Sequence, residues 1–318
     1  MKIEELIKKI ESEVQKGKEE ERSNEGLLKL QEIASQYEGE YKLVWSGEIK
    51  DKLKNEPKKK IYKTKIKQLD ELIDGFREQQ LIIGVADSGH GKTAFSLFLT
   101  KNFEELKPVF VALEQGAEEL IEQRQENGQF TPDFLTPSKL AGSITTDWIE
   151  ERIVEGIAKH NTKFVVIDHL GYIDDFGEGG KYKRENTAYR IGKVMKDLKG
   201  IAKRWNVIIY LSVHISQHDE GQPPNRKDIK NSSDIIQECD TALFLWRKNE
   251  VVDKMRVYEN ETLISVQKNR RTGRNSHFGL IFDNKTGGYR PDNQWLNSLE
   301  DEWHKQENAG EDDFKNDV

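Results

Sequence analysis

The sequence predicts an α/β fold: a mostly parallel central sheet flanked by helices, with a C-terminal antiparallel hairpin and a helical N-terminal arm. Three observations lead there. Short apolar runs at 81–86, 108–113, 164–167 and 207–213 alternate with helical stretches, as in a sheet buried on both faces. The first run opens into a tight loop, Asp87-Ser88-Gly89-His90-Gly91, then Lys92-Thr93 and a helix whose inward face is Ala94, Phe95, Phe98 and Leu99. The next two runs end in carboxylates, Glu114 and Asp168, at the strand edge where open α/β sheets bind ligands.

Strand, glycine-rich loop, Lys-Thr and helix together make a phosphate cradle. The glycines let backbone N–H groups turn toward an anion, and the helix N-terminus adds its positive end. Ser88, Gly89, His90, Gly91, Lys92, Thr93 and Ala94 are therefore the candidate nucleotide-binding residues. Lys92 reaches terminal phosphates, and the Thr93 hydroxyl suits a magnesium ion. Ala86 stands where the usual pattern begins with glycine. The competing reading is a strand–turn–helix that happens to contain Gly-Lys-Thr.

Composition narrows the class. The 318 residues carry a net charge of −7, so nucleic-acid contact must come from local basic patches. The single cysteine, Cys239, excludes a disulfide framework and a cysteine-based zinc module, and reads as core filler. No segment is apolar enough to span a membrane, and the N-terminus lacks a signal-peptide core, so the expected location is cytoplasmic.

Taken in order, residues 1–60 read as a polar helical arm and linker. Its apolar stripes fall at Ile3, Leu6, Ile7, Ile10 and Val14, and at Leu27, Leu28, Leu30, Ile33 and Tyr37. The arm packs either on its own domain or on a neighbouring subunit. Residues 61–293 form the main domain. Residues 66–76 read as a short helix stopping at Gly75. Glu114 reads either as a water-activating base or as the acid of a helix N-terminus. Asp147 and Glu150 suggest a capping-box-like helix start. Asp168 is a magnesium ligand, direct or through water, beside Thr93. Residues 176–184 form a glycine- and charge-rich loop. His214 follows a buried strand on the edge shared with Glu114 and Asp168, and reads as a γ-phosphate sensor or a plain loop histidine. Strands at 241–246 and 261–268 lead to the basic loop Asn269-Arg270-Arg271-Thr272-Gly273-Arg274. Residues 294–318 turn acidic and read as a disordered tail, either plainly solubilising or carrying Phe314 as an anchor for a partner.

These ordered motifs resemble the RecA-like motor domain of hexameric replicative helicases, the group of DnaB, the phage primase-helicases and Twinkle. The resemblance runs from about 62 to 292. That group also writes its P-loop with alanine at the Ala86 position. Leu113-Glu114-Gln115 is similar to the family's Leu-Glu-Met, whose Glu is the catalytic base, and Ile167-Asp168-His169-Leu170 to the magnesium-binding motif of the phage and Twinkle branch. His214 falls where that branch places its sensor. Residues 229–240 resemble the segment whose loop lines the DNA channel and whose Gln, here Gln237, couples nucleotide to DNA. Lys230, Asn231 and Ser232 are the implied DNA contacts, although Lys230 replaces the family's Arg. Lys268 and Arg270 match the Lys and arginine finger that act in trans, with Arg270 preferred to Arg271.

The resemblance implies an ATP- and Mg2+-dependent helicase that forms a ring, expected to be a hexamer, and moves along single-stranded DNA. The residues before 61 are expected to hold neither a primase nor a DnaB collar. Two other functions fit the same core: a RecA/RadA-like recombinase, or a KaiC-like ATP switch without unwinding activity.

Overall fold

The computed structural model describes residues 8, 12, 43–55, 60–173, 187–215, 222–229, 232–253, 255–292 and 294–297. The apolar arm stripes, the 176–184 loop, Lys230, Asn231 and Phe314 lie outside them. The chain divides into two units, Met1–Lys58 and Lys59–Val318.

In the first unit, helix α1 (Ser46–Asn55) carries Glu48 in its first turn and Lys52 and Lys54 in its last, the polarity a helix dipole favours. None of its residues is buried. Trp45, Ile49 and Leu53, spaced one helical turn apart, are exposed apolar side chains.

The second unit opens with β1 (Ile61–Tyr62), helix α2 (Lys67–Ile73) and β2 (Phe76–Arg77), which pairs antiparallel with β1. Helix α2 ends on Asp74 in the left-handed region, one residue before the expected Gly75. Gly75 has φ +78, and a Cβ there would lie 2.6 Å from the Tyr62 carbonyl oxygen, so only glycine fits this turn.

The 8-stranded sheet contains β3 (Leu81–Ala86), β4 (Val109–Ala112), β5 (Phe164–Asp168), β6 (Ile208–His214), β7 (Thr241–Val252), β8 (Met255–Asn269), β9 (Ser276–Asp283) and β10 (Gly288–Pro291). Its order is β10-β9-β8-β7-β3-β6-β5-β4. Strands β4, β5, β6, β3 and β7 run parallel, and β8, β9 and β10 extend the sheet antiparallel. The helices α3 (Lys92–Asn102), α4 (Ala117–Glu126), α5 (Thr146–His160), α6 (Thr187–Trp205) and α7 (Ser232–Glu238) complete the unit.

The sheet separates two cores, and strand alternation assigns side chains to each. Leu81, Ile83 and Val85 of β3 enter one core with Val194, Met195, Leu198 and Ile201 of α6. Ile82 and Ala86 enter the other with Phe95 and Leu99 of α3. Every residue of β3 is buried, which is why this strand reads as an unbroken apolar run. Full burial of each large aliphatic side chain contributes about 1.5–3 kcal/mol. Gly84 leaves room for Tyr210, since a Cβ would sit 1.8 Å from the phenol oxygen. Cys239 is buried core filler, its thiol pushed up to about 12 by burial.

Three elements differ from the sequence reading. Helix α5 is capped by Thr145, whose hydroxyl accepts from the Trp148 amide at 3.2 Å, rather than by Asp147. Strands β7 and β8 run on through residues 247–252 and 255–260, where polar side chains interrupt the apolar ones, making a longer hairpin than expected. Residues 294–297, inside the segment expected to be tail, are helical, and Leu296 is buried against Trp246 and Leu263. Among the described residues no helix is long and apolar enough to cross a membrane.

Candidate functional site

Strand register brings the site together. Ala86 pairs with His214 across β3 and β6, and Ala112 with Asp168 across β4 and β5. The parallel strands thus finish on one edge. There β3 releases the glycine loop, β4 leads to Glu114, and β5 and β6 end in Asp168 and His214.

The loop needs its glycines for conformation and for space. Gly89 and Gly91 adopt φ of +78 and +81, and a Cβ on Gly89 would lie 2.5 Å from the Tyr258 oxygen. The long hairpin reaches this loop. The Tyr258 hydroxyl donates to the Ser88 carbonyl at 3.0 Å, and Arg256 lies 3.5 Å from the Asp87 carboxylate. His90 turns its side chain away from the cradle. Its Nδ1 accepts from the Arg247 amide at 2.8 Å, and its ring stands edge-on to Tyr258. Toward a ligand, His90 therefore offers backbone.

Lys92 folds back on the loop, donating to the carbonyls of Ala86 (3.2 Å) and Asp87 (2.8 Å). Burial pulls its ammonium down to about 8, against Asp168, Glu114 and Asp87, which favour the charge. The Thr93 hydroxyl donates to Asp168 Oδ2 at 2.6 Å. The other oxygen of Asp168, Oδ1, is buried and has no hydrogen-bond partner among the described residues. A hydroxyl beside a buried carboxylate with one unused oxygen is a donor set for a hard cation that also takes phosphate oxygens.

Glu114 is half-exposed and faces two imidazoles. His169 Nε2 lies 3.8 Å and His214 Nε2 4.0 Å from the same oxygen, Glu114 Oε2. The rings meet edge-to-face with centroids 4.0 Å apart. Burial first, and Lys92 second, hold both histidines down to about 4, so both are neutral at pH 7. The donor atoms of Glu114, His169 and His214 all lie within 4.8 Å of one another. However, His169 Nδ1 accepts from the Gly171 amide at 3.1 Å, which leaves the ring proton on Nε2. His169 therefore faces Glu114 as a donor, not as a metal ligand.

These groups line a cavity of ≈ 550 Å³ with Ser88, Gly89, Gly91, Lys92, Thr93, Ala94, Glu114, Asp168 and His214 on its walls. Leu120, Gln123, Arg124 and Phe282 also line it, and none of these stood out in the sequence. Arg124 is held by the carbonyls of Phe130 and Gly287, an anchor visible only once the chain is folded.

The C-terminal cations lie elsewhere. Lys268 donates to the carbonyls of Ile236 and Gln237, and Arg270 to Gln237 at 2.7 Å, together satisfying the last carbonyls of α7. Neither of them, nor Gln237, lines the cavity. Ser232 begins α7.

The DnaB-like helicase C-terminal domain family matches residues 62–128 and 139–290, most of the chain. The chain belongs to this family. Similar sequences include the replicative DNA helicase DnaB of Mycoplasma pneumoniae, 26% identical over 249 residues, covering 65% of this chain and 52% of that protein. The replicative DNA helicase DnaC of Bacillus subtilis is 26% identical over 240 residues, again covering 65% and 52%. The chain thus spans about half the length of the curated relatives it matches. Two solved structures share the fold at 18% identity and a TM-score of 0.62 each. For one, an ATPase domain, the likeness covers 78% of this chain and 96% of that chain. For the other, a DnaB-like replicative helicase solved to show its interactions with primase, it covers 89% and 76%. The DnaB-like match includes the whole edge from Ala86 to His214 except its loop at 129–138, and it includes the hairpin over the P-loop.

Proposed function

We propose that this chain is the ATP-hydrolysing motor of a ring-forming replicative DNA helicase that moves along single-stranded DNA. The observation that carries the proposal is the convergence of the P-loop, Glu114, Asp168 and His214 on one cavity through strand register. In this reading the amides of residues 88–94 and Lys92 hold the ATP phosphates. Thr93 and Asp168 would hold Mg2+, which when bound neutralises charge on the phosphate oxygens. Glu114 orients a water against the γ-phosphorus and takes its proton. As the water oxygen bonds to phosphorus, the bond to the bridging oxygen breaks, leaving ADP and phosphate. His214, neutral at pH 7, donates a hydrogen bond to the γ-phosphate and reports its loss.

One chain leaves the site incomplete. Among the described residues, the cavity lacks an arginine free to stabilise charge on the transferring group, because Arg124 is held by carbonyls. Lys268 and Arg270 lie on a separate surface, where half-exposed Arg270 can serve the site of a neighbouring copy. The exposed stripe of Trp45, Ile49 and Leu53 suits docking between neighbours. DNA contact is assigned to Lys230, Asn231 and Ser232, and a replication partner to the acidic C-terminal segment.

The test is Glu114→Gln. It should keep nucleotide binding within about 3-fold and lower turnover by at least about 100-fold, in line with loss of a positioned base. Retained hydrolysis would place the base elsewhere.

A further inference from the structure

We propose that His169 is a positioning residue for the water-activating carboxylate: its Nε2–H anchors one oxygen of Glu114 and leaves the other to receive the proton. The inference rests on the assignment of Glu114 as the base. It adds a residue that the cavity lining alone does not single out.

Three observations lead to it. The first is direction. Gly171 N–H donates to His169 Nδ1 at 3.1 Å, so in the neutral ring Nε2 carries the proton and points toward Glu114. The second is immobilisation. The His169 side chain is 12% exposed, packed edge-on against Tyr172 at 4.9 Å and against His214 at 4.0 Å, whereas Glu114 is 48% exposed. The packed ring is the fixed partner, and a small change in the Glu114 side chain closes 3.8 Å to hydrogen-bonding distance. The third is selectivity between the oxygens. His169 and His214 both face Oε2, so Oε1 is the oxygen left for water. A base held through one oxygen keeps its other oxygen aimed, which is how an outer partner raises the rate without touching substrate.

The structure also offers a plainer role for His169, since its Nδ1 caps the turn at Leu170–Tyr172. Two substitutions separate the roles. His169→Asn keeps an acceptor at the Nδ1 position for Gly171 but cannot reach Glu114. His169→Gln places an amide N–H near the Nε2 position. Both are measured in the full chain with single-stranded DNA, by steady-state ATP hydrolysis and by direct binding of a fluorescent ATP analogue, beside Glu114→Gln.

The positioning role predicts that His169→Asn lowers kcat by about 10–100-fold, with KM and analogue affinity within about 2-fold, and that His169→Gln recovers at least about a third of the lost rate on a logarithmic scale. Wild-type kcat in His169→Asn overturns the proposal. So does loss of analogue binding in that variant, or a His169→Gln no better than His169→Asn. If Glu114→Gln still turns over, the base assignment has failed and takes this inference with it. If Glu114→Gln is inactive while His169→Asn is not, only the positioning role is refuted.

Discussion

Replacing Asp240 by Asn should destabilise the second unit by about 3 kcal/mol. Asp240 precedes β7 and is a buried node beneath the P-loop strand. Its Oδ2 accepts from the Leu81 amide at 2.8 Å, at the first residue of β3, and from the Lys199 ammonium of α6, while Oδ1 lies 3.4 Å from Arg270. Lys199 also donates to the Gln79 carbonyl at 2.7 Å. Burial lowers the Lys199 pKa, and the Asp240 hydrogen bond and charge oppose that shift.

Asn is nearly isosteric and keeps an acceptor for Leu81. The loss is therefore the countercharge, with Lys199 left cationic and about nine-tenths buried. Removing one partner of a buried pair costs about 3–5 kcal/mol, and the retained acceptor argues for the lower end. At about 2–4 °C per kcal/mol, the melting temperature should fall by about 6–12 °C. Urea or thermal unfolding of the full chain reads the change. Adding Lys199→Met, which removes the stranded cation, should recover at least about 1 kcal/mol. A single variant within about 1 kcal/mol of wild type, or a double variant no more stable than the single, would refute the reasoning.

Other predictions follow from the site. Arg270→Ala should abolish hydrolysis in uniform rings, and mixing with Glu114→Gln subunits, which keep an intact Arg270, should restore turnover; failure to complement would refute action in trans. Nucleotide affinity should be pH-dependent. Bound phosphates raise the Lys92 pKa above its free value of about 8, so affinity is fully present below pH 8 and falls by up to about tenfold per unit as pH rises through it. Calorimetry in buffers of different ionisation enthalpy should show proton uptake on binding near pH 8; its absence would mean that Lys92 is already charged.

What was legible in the sequence follows from what a parallel sheet imposes. Residues 81–86 and 164–168 are buried on both faces, so they appear as apolar runs, and their polar ends mark the ligand edge. The long hairpin was hidden because residues 247–250 and 256–260 are mostly polar and partly or fully exposed, held by pairing between β7 and β8 rather than by an apolar face. The contacts of Tyr258 with Ser88 and of Arg256 with Asp87 join residues about 170 positions apart, which no local pattern encodes. His169 sat in plain view beside Asp168, yet facing Glu114 depends on β4 lying next to β5. Lys268 reads as the end of a strand and Arg270 as part of a basic loop, whereas their caps on α7 emerge only when β8 ends beside that helix.

In the proposed motor this cavity hydrolyses ATP to drive movement along DNA. The most direct measurement is the ATP hydrolysis rate of the full chain with and without single-stranded DNA, with particle mass followed on adding nucleotide. Rings are expected, with turnover that rises at least several-fold with DNA and disappears in Glu114→Gln. ATP turnover indifferent to DNA, in particles that stay monomeric, would contradict the proposal.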